Sequence, residues 1–343
     1  MIPLRPAPDA APAPWEFRVR PGGGVERTAS AALPRPLEPG QVRLRFVAGG
    51  ICGSDIGALA GVSTFDPRRD AALVPLHEIV AEVVQSEDPR LVAGQRVVGT
   101  GLTGLASELV EDADRFIPVP PGLAAADAVA IQPFGTVLRA VAALPAVSGR
   151  DVVVLGAGAI GLAFAHVLKG RGARSLLLVD PVAGRAPIAR RYGADEFFAG
   201  TGQLWSEVAP TRPGRPSLVV DAVGRQPDLI RCALTAVADG GFVLGFGSAA
   251  DGCYPIPFAE MYHRDLTLAS GRTRDGWVPV LERGADYLLA HRTDLEGYVS
   301  HRIPVADAGR AYDLCSRPDE CRIKVVLEDD GHPGPTRGRT SER

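Results

Sequence analysis

Residues 151–161 read DVVVLGAGAIG, and this stretch decides the fold prediction. Its first five residues include three consecutive valines, and so short an apolar run predicts a buried strand. The remaining six residues contain glycine at positions 156, 158 and 161, and residues 160–170 have helical character. The stretch therefore predicts a strand, a tight turn and a helix in direct succession.

The same alternation of strands and helices continues along the chain. Apolar runs predict strands at 175–180, 217–221 and 241–245, and residues 186–192 can form a helix between the first two. Buried strands that alternate with helices are typical of a doubly wound parallel sheet covered on both faces. We therefore predict an α/β fold for residues 133–272.

The glycines of the turn form the pattern G-x-G-x-x-G, with Gly156, Gly158 and Gly161 at its fixed positions and Ile160 inside it. Asp180 ends the next predicted strand, about 20 residues further on. In this context the pattern predicts a dinucleotide site, because the glycines permit a sharp turn, close approach of the pyrophosphate and tight helix packing. A glycine-rich turn in a protein that binds no nucleotide is the alternative.

The charge of Asp180 favours NAD over NADP. Its carboxylate can accept hydrogen bonds from the ribose hydroxyls, and it would repel a 2′-phosphate. Arg185 lies nearby in the sequence and could attract such a phosphate, so NADP is the less favoured alternative.

The N-terminal part, residues 15–131, has a different character. Short β-like runs occur at 42–47, 79–84 and 96–99, separated by turn residues. This pattern predicts a barrel-like β domain. The C-terminal part ends in one more predicted strand, residues 322–327.

Composition excludes several classes of protein. The chain has 343 residues, which suffices for two domains, and its net charge of −3 gives no overall attraction to nucleic acid or to an anionic membrane. Its five cysteines are few and odd in number, which argues against a secreted disulfide framework. The sequence has no signal-peptide pattern near its start and no apolar run of about 18 residues. We expect a cytoplasmic protein whose partner is a small-molecule substrate, not nucleic acid or a membrane.

Side chains suited to zinc occur in two separate segments. Cys52 lies in the glycine-rich stretch GICGSD, and His77 and Glu78 directly precede the predicted strand at 79–84. Thiolate, imidazole and carboxylate are all zinc ligands, but the spacing alone does not establish that they meet. A single buried cysteine and a hydrogen-bonded histidine with structural roles are the alternative.

Taken in order, these motifs resemble those of a known family. GICGSD, LHE before IVAEVV, GAGAIG, Asp180 and the closing IKVVLE follow one another over nearly the whole chain, residues 15–328. In this combination the sequence resembles the zinc-dependent medium-chain dehydrogenase/reductase family. The resemblance implies a GroES-like β-barrel catalytic domain plus a Rossmann domain with a doubly wound parallel sheet.

The domain organisation that follows has four parts. They are a flexible arm over residues 1–14, a catalytic domain over 15–132 and 273–328, a Rossmann NAD-binding domain over 133–272, and a flexible tail over 329–343.

The resemblance also implies roles for individual residues. Cys52 and His77 would ligate a catalytic zinc, and Glu78 would either ligate it or hold its water. Gln132 occupies the last ligand position, which is often Cys or Glu. Ser54 would relay the proton of the substrate.

Further positions carry either a role or a departure from the family pattern. Asp55 would orient the zinc-bound histidine, and Lys324 would reach the cofactor phosphate. Leu76 replaces a glycine, which implies a narrower or shifted pocket. Gly57 replaces a histidine that ends the proton relay in many alcohol dehydrogenases. Residues 90–131 contain no cysteine, so we expect one catalytic zinc per subunit and no structural zinc.

The resemblance implies an NAD(P)-dependent zinc dehydrogenase that interconverts a secondary alcohol and its ketone by hydride transfer. The ligand set with Glu78 and Gln132 favours a polyol, sugar or cyclitol-like substrate, and proteins of this kind are usually homodimers or homotetramers. Two alternatives stay open: a zinc-free medium-chain reductase of an activated double bond, and a non-catalytic nucleotide-binding protein on the same scaffold.

Overall fold

The computed structural model describes residues 13–20, 24–30, 36–61, 72–211, 214–249, 253–271, 276–317 and 322–329. The predicted arm at 1–14 and the predicted tail at 329–343 lie almost wholly outside these ranges, so both stay predictions. No helix in the described ranges is both long and apolar enough to span a bilayer.

A six-stranded parallel sheet forms the centre of the chain. Its strands, in chain order, are β8 (Asp151–Leu155), β9 (Ser175–Asp180), β10 (Glu196–Ala199), β11 (Leu218–Asp221), β12 (Phe242–Gly245) and β13 (Thr267–Ser270). Their order across the sheet is β10-β9-β8-β11-β12-β13, and every neighbouring pair is parallel. The order reverses at β8, which lies between β9 and β11. Ligands bind in the crevice outside such a switch point, so the turn after β8 is correctly placed for one.

A second, mostly antiparallel sheet is built from both ends of the chain. Its strands are β3 (Gln41–Ile51), β4 (Glu78–Ser86), β5 (Arg96–Thr100), β6 (Glu108–Asp112), β7 (Phe116–Pro118), β14 (Val299–Pro304) and β15 (Lys324–Glu328). The order is β14-β15-β3-β4-β5-β7, with β6 paired to β3. A separate hairpin pairs β1 (Trp15–Val19) with β2 (Val25–Ala29).

Ten α-helices occur in the described residues. They are α1 (Gly53–Leu59), α2 (Ala125–Ala128), α3 (Ile131–Ala142), α4 (Ala159–Gly170), α5 (Ala186–Arg191), α6 (Gly202–Val208), α7 (Pro227–Ala236), α8 (Phe258–His263), α9 (Trp277–Ala290) and α10 (Ala308–Cys315).

The predicted fold class is confirmed: an α/β chain with a β domain and a doubly wound parallel sheet. One apolar cluster lies within the antiparallel sheet, around Leu44, Ile79 and Phe116, and another lies between the parallel sheet and helices α3 and α4. The strands β14 and β15, from the C-terminal end, join the sheet of the N-terminal half. The exact boundaries between residues 132 and 133 and between 272 and 273 stay predictions.

Helix α9 packs very closely on α3. A Cβ atom on Gly284 of α9 would lie 2.2 Å from the carbonyl oxygen of Ile131, and one on Gly135 of α3 would lie 2.3 Å from that of Val280. Because real Cβ contacts are never so short, only glycine permits the two backbones to touch here. The start of α3, which carries Gln132, is therefore fixed in position by α9.

Candidate active site

The glycine-rich turn has the geometry that a dinucleotide site needs. Gly156 adopts a φ of +98°, which L side chains rarely tolerate. A Cβ atom on Gly161 would lie 1.8 Å from the carbonyl oxygen of Gly156, so α4 can approach the strand only with glycine there. A Cβ atom on Gly158 would meet nothing within 4 Å, which leaves open space in front of the N-terminus of α4. Ile160 lies half-buried in the first turn of that helix.

Asp180 ends β9 and is nearly buried. Its Oδ2 accepts hydrogen bonds from the Ala157 N–H at 2.8 Å and from Arg185 Nη1 at 3.0 Å, and its Oδ1 accepts one from the Val182 N–H at 2.9 Å. The carboxylate thus ties the glycine-rich turn to the end of the second strand. Arg185 is also buried and pairs with this carboxylate, instead of pointing outward toward a 2′-phosphate.

Three neighbouring strands bring the candidate metal ligands together. In the antiparallel ladders Gly50 of β3 lies opposite Glu78 of β4, and Ile51 lies opposite Val325 of β15. Cys52 follows Ile51 directly, and Lys324 directly precedes Val325. The register therefore places Cys52, Glu78 and Lys324 at the same end of the sheet, although they lie far apart in the sequence.

The helix after β3 fixes the first of these groups. The backbone N–H of Cys52, which precedes α1, donates to Oδ2 of Asp55 at 3.0 Å. The other oxygen of the same carboxylate lies 2.8 Å from Nδ1 of His77, and Asp55 is fully buried. The contact between acid and histidine that the family resemblance implies is therefore present. It leaves Nε2 of His77 as the nitrogen that can face a metal.

Glu78 is held by a buried ion pair. Lys324 Nζ lies 2.8 Å from both of its carboxylate oxygens, and the two residues are 1% and 2% exposed. A Cβ atom on Gly50 would lie 2.4 Å from Oε2 of Glu78, so glycine leaves the space that the carboxylate fills. The ammonium of Lys324 is therefore directed at Glu78. The resemblance had implied that it reaches a cofactor phosphate instead. A buried ammonium needs a paired charge, and Glu78 supplies it.

The ligand atoms of Cys52, His77 and Glu78 all lie within 4.8 Å of one another. Burial disfavours the Cys52 thiolate, but the hydrogen bond with His77 and the charge of Lys324 lower the pKa of this thiol overall. Burial also disfavours the charged form of His77, yet the carboxylate of Asp55 raises its pKa well above the ordinary value. A cation that displaces the proton from Nε2 of His77 would find an ionised sulfur, an imidazole nitrogen and a carboxylate in this cluster.

Three other residues singled out in the sequence lie in or near helices and strands that carry the cluster. Gln132 is the second residue of α3 and is 6% exposed, and Ser54 is half-buried in the first turn of α1. Leu76 is fully buried in the apolar cluster of the antiparallel sheet. Its side chain packs against Gly49 inside that sheet, and the narrower or shifted pocket that Leu76 implies stays a prediction.

Sequence reasoning missed two residues near the site. Tyr298 is almost fully buried; its hydroxyl donates to the carbonyl oxygen of Ala159 at 3.3 Å. Burial raises the pKa of Tyr298 well above its ordinary range, and the charges of Glu78 and Cys52 add to this effect. Tyr298 therefore contacts the glycine-rich turn at Ala159. No local motif marks it.

The second missed residue is Arg225, in the loop after β11. Its φ of +53° is unusual for a residue with a side chain. A Cβ atom on Gly57 of α1 would lie 2.1 Å from Nη1 of Arg225. The guanidinium therefore occupies the place beside α1 that Gly57 leaves open, where many alcohol dehydrogenases carry a histidine. The dipeptide Gly224-Arg225 at the end of a parallel strand was the only sequence signal.

Comparisons with known proteins find alcohol and polyol dehydrogenases. The family described as "Alcohol dehydrogenase GroES-like domain" matches residues 38–121. Sorbitol dehydrogenase of Bombyx mori is 26% identical over 223 residues, which are 63% of this chain and 62% of that protein. A protein named as a zinc-binding alcohol dehydrogenase of Mycobacterium tuberculosis is 26% identical over an alignment of 349 positions. The alignment covers 90% of this chain and 87% of that protein.

A solved structure extends the comparison to the fold of the whole chain. Alcohol dehydrogenase from Thermus sp. ATN1 superimposes with a TM-score of 0.77 at 25% identity, over 92% of this chain and 99% of that one. The fold and the ligand cluster together define an oxidoreductase of the alcohol dehydrogenase type. More particularly, the matched domain, the relatives and the fold make the chain similar to the zinc-dependent medium-chain dehydrogenase/reductase family.

Proposed function

We propose that this protein is a zinc-dependent, NAD-linked dehydrogenase that interconverts a polar secondary alcohol and its ketone. The observation that carries the proposal is the cluster of Cys52, His77 and Glu78, whose ligand atoms all lie within 4.8 Å of one another. Tyr298 gives further support, because its hydroxyl donates to the carbonyl oxygen of Ala159 in the first turn of the dinucleotide helix α4.

The residues present fit a zinc ion. Cys52, His77 and Glu78 offer sulfur, nitrogen and oxygen donors within 4.8 Å of one another, and zinc accepts all three kinds. Asp55 accepts from Nδ1 of His77 and so fixes the tautomer whose Nε2 can ligate. Gln132 is the proposed fourth donor. Because Lys324 holds both oxygens of Glu78, direct ligation by Glu78 would require this ion pair to rearrange.

The residues of the chain bind and orient the reactants. When bound, zinc supplies Lewis acidity toward the hydroxyl of the substrate, and the nicotinamide supplies the hydride acceptor. The turn at Gly156–Gly161 and the N-terminus of α4 receive the pyrophosphate, and Asp180 receives the adenosine ribose. Ser54, half-buried in the first turn of α1, accepts the hydroxyl proton and passes it toward solvent.

For the substrate we propose a polyol, sugar or cyclitol-like secondary alcohol. The ligand set of Cys52, His77, Glu78 and Gln132 resembles that of polyol and sugar dehydrogenases, and the relative from Bombyx mori is by its name a sorbitol dehydrogenase. We also propose NAD as the favoured cofactor, because the only buried cation beside Asp180 in the described residues, Arg185, is already paired with it.

The predicted cytoplasmic location and the homodimeric or homotetrameric state belong to the same proposal. Light scattering of the purified protein measures the number of subunits.

Replacement of Cys52 by Ala tests the function directly. We expect Cys52→Ala to lose the zinc of this site and turnover of a polyol panel, while NAD binding changes little. Cys253→Ala is the matched control, because Cys253 is exposed and distant in sequence from every proposed ligand. Full kcat in Cys52→Ala would refute the metal mechanism. A wild-type protein without zinc that reduces activated double bonds would establish the zinc-free alternative.

A further inference from the structure

We propose that His166, His291 and Asp294 form a second divalent metal site, separate from the cluster at Cys52. One ligand atom from each residue lies within 4.8 Å of the other two. His166 lies on α4, His291 directly follows α9, and Asp294 lies in the turn after it. The site would therefore connect two helices that are more than a hundred residues apart in the chain.

The distances fit ligands that share one ion. Nε2 of His166 lies 3.9 Å from Oδ2 of Asp294, and Nδ1 of His291 lies 3.5 Å from the same oxygen. These separations are long for hydrogen bonds. Two ligands at ordinary zinc distances in a tetrahedral site lie roughly 3.3–3.5 Å apart, so small movements of the side chains suffice to close around the ion.

Tyr287 positions the first of these ligands from behind. Its hydroxyl lies 2.7 Å from Nδ1 of His166, and burial raises the pKa of Tyr287 to about 12, so the phenol stays neutral. If Nδ1 of His166 donates to this phenol oxygen, Nε2 carries the lone pair that faces Asp294. The Tyr287 ring also packs on His291, with ring centroids 4.3 Å apart. An outer partner of this kind is typical of metal-bound histidines.

The ligand set also indicates the kind of metal. Two imidazoles and one carboxylate suit zinc, nickel or copper better than calcium or magnesium. The side chains are 13%, 38% and 62% exposed, for His166, His291 and Asp294, so an ion can enter from solvent and keep water as a further ligand. With neutral imidazoles, the loaded site would carry one net positive charge.

The position of the site favours a structural role. His166 lies about 10 Å along α4 from the glycine-rich turn, so the ion would not reach the nucleotide phosphates. His291 ends α9, whose backbone touches the start of α3 at Ile131. The ion would therefore tie the dinucleotide helix to the helix that fixes Gln132. This adds a second metal to the single zinc that the sequence predicts.

The test uses the full chain with the first site removed. Cys52→Ala, stripped with chelator and dialysed against zinc, should bind one equivalent by mass spectrometry of metals and should gain zinc-dependent thermal stability. Adding His291→Ala or Asp294→Asn to this variant should abolish both. Adding Tyr287→Phe should weaken zinc binding by about 10-fold or more but keep the stoichiometry.

Two surface substitutions serve as matched controls, His263→Ala and Asp286→Asn, because both residues are exposed and neither lies in the cluster. Cobalt distinguishes the two sites, since only the one with Cys52 can show sulfur-to-metal charge transfer. A Cys52→Ala protein that binds no zinc beyond its His291→Ala derivative would overturn the proposal. The proposal would also be overturned if the equivalent of zinc bound by Cys52→Ala survived both His291→Ala and Asp294→Asn. The thermal unfolding of each variant in the presence of chelator shows that it is folded before metal is added.

Discussion

The Lys324 ammonium lies 2.8 Å from both carboxylate oxygens of Glu78, with both residues almost completely buried. The pair joins the first residue of β15 to the first residue of β4, so it connects the C-terminal strand to the segment that carries His77. Burial disfavours the charged form of Lys324, but the negative charge of Glu78 raises its pKa overall. The carboxylate of Glu78 thus keeps Lys324 charged in the interior.

We expect Lys324→Met to lower the free energy of unfolding by about 3–5 kcal/mol, because it leaves an unpaired buried carboxylate. The double variant Lys324→Met/Glu78→Gln should recover much of this loss. Lys169→Met is the control, since Lys169 pairs with Asp195 at the surface and should cost at most about 1 kcal/mol. Denaturant unfolding measures these four proteins, wild type included, and the single variant Glu78→Gln that the test of additivity requires. Strict additivity in the double variant would contradict the pairing.

The contacts of Asp180 predict a cofactor preference. We expect Asp180→Asn to lower the preference for NAD over NADP in kcat/KM by about 10-fold or more, because it removes the charge that repels a 2′-phosphate. Arg185→Ala should affect the use of both cofactors similarly, since Arg185 positions Asp180. Steady-state kinetics with both cofactors measures the ratio. A selective loss of NADP activity in Arg185→Ala would instead assign Arg185 to the phosphate.

The contact between Gly57 and Arg225 predicts a kinetic effect without a large loss of stability. A methyl group on Gly57 must displace the guanidinium, which is the mobile end of a long side chain. We expect Gly57→Ala and Arg225→Ala each to lower kcat/KM on the order of 10-fold, and the double variant to be little worse than either.

Gly309→Ala on α10 provides the control, because a Cβ atom there meets nothing within 4 Å. Its activity should be unchanged and its stability equal or slightly higher. Independent, additive effects of the Gly57 and Arg225 substitutions would show that the contact has no role in turnover.

Glu111 predicts a pH-dependent gain in stability. Burial raises the pKa of Glu111, although its Oε1 accepts hydrogen bonds from the N–H groups of Leu102 and Thr103. A carboxyl whose pKa is raised in the folded state destabilises the fold increasingly as pH rises from the unfolded pKa through the folded one. Glu111→Gln keeps an acceptor oxygen and lacks this penalty.

We therefore expect Glu111→Gln to unfold at higher denaturant concentration than wild type at pH 7.5, with the advantage disappearing near pH 4. Glu82→Gln, on strand β4 of the same sheet and paired with Arg45 at the surface, should show no such gain. An advantage for Glu111→Gln that grows toward low pH would have the wrong sign and would contradict this account.

The parallel-sheet half of the fold could be predicted from the sequence because its signals are local. The run at 151–155, the glycines after it and Asp180 lie within one strand–helix–strand unit, and their spacing is fixed by the geometry of that unit. The strands β10 and β13, at the two edges of the parallel sheet, escaped prediction because Glu196–Ala199 and Thr267–Ser270 are short and only partly buried.

The candidate metal centre needed more than local patterns. Cys52 and Glu78 meet only because β3, β4 and β15 pair in one register, and no single segment encodes that register. The role of Lys324 was misjudged for the same reason: its partner Glu78 lies 246 residues away in the sequence. The contact of Arg225 with Gly57 and the cluster at His166 are likewise products of tertiary packing.

The side chain of Leu76 packs into the space that Gly49 leaves free because it has no side chain. A Cβ atom on Gly49 would lie 2.6 Å from Cδ2 of Leu76, so the leucine fills the hollow that the glycine provides on the adjacent strand. The side chain at position 76 thus limits what residue position 49 can hold, although Gly49 pairs with Ile79 in the ladder. Exchanging the glycine and the leucine between positions 49 and 76 should therefore be tolerated far better than enlarging position 49 alone. The residues at these two positions are best compared between proteins as a pair.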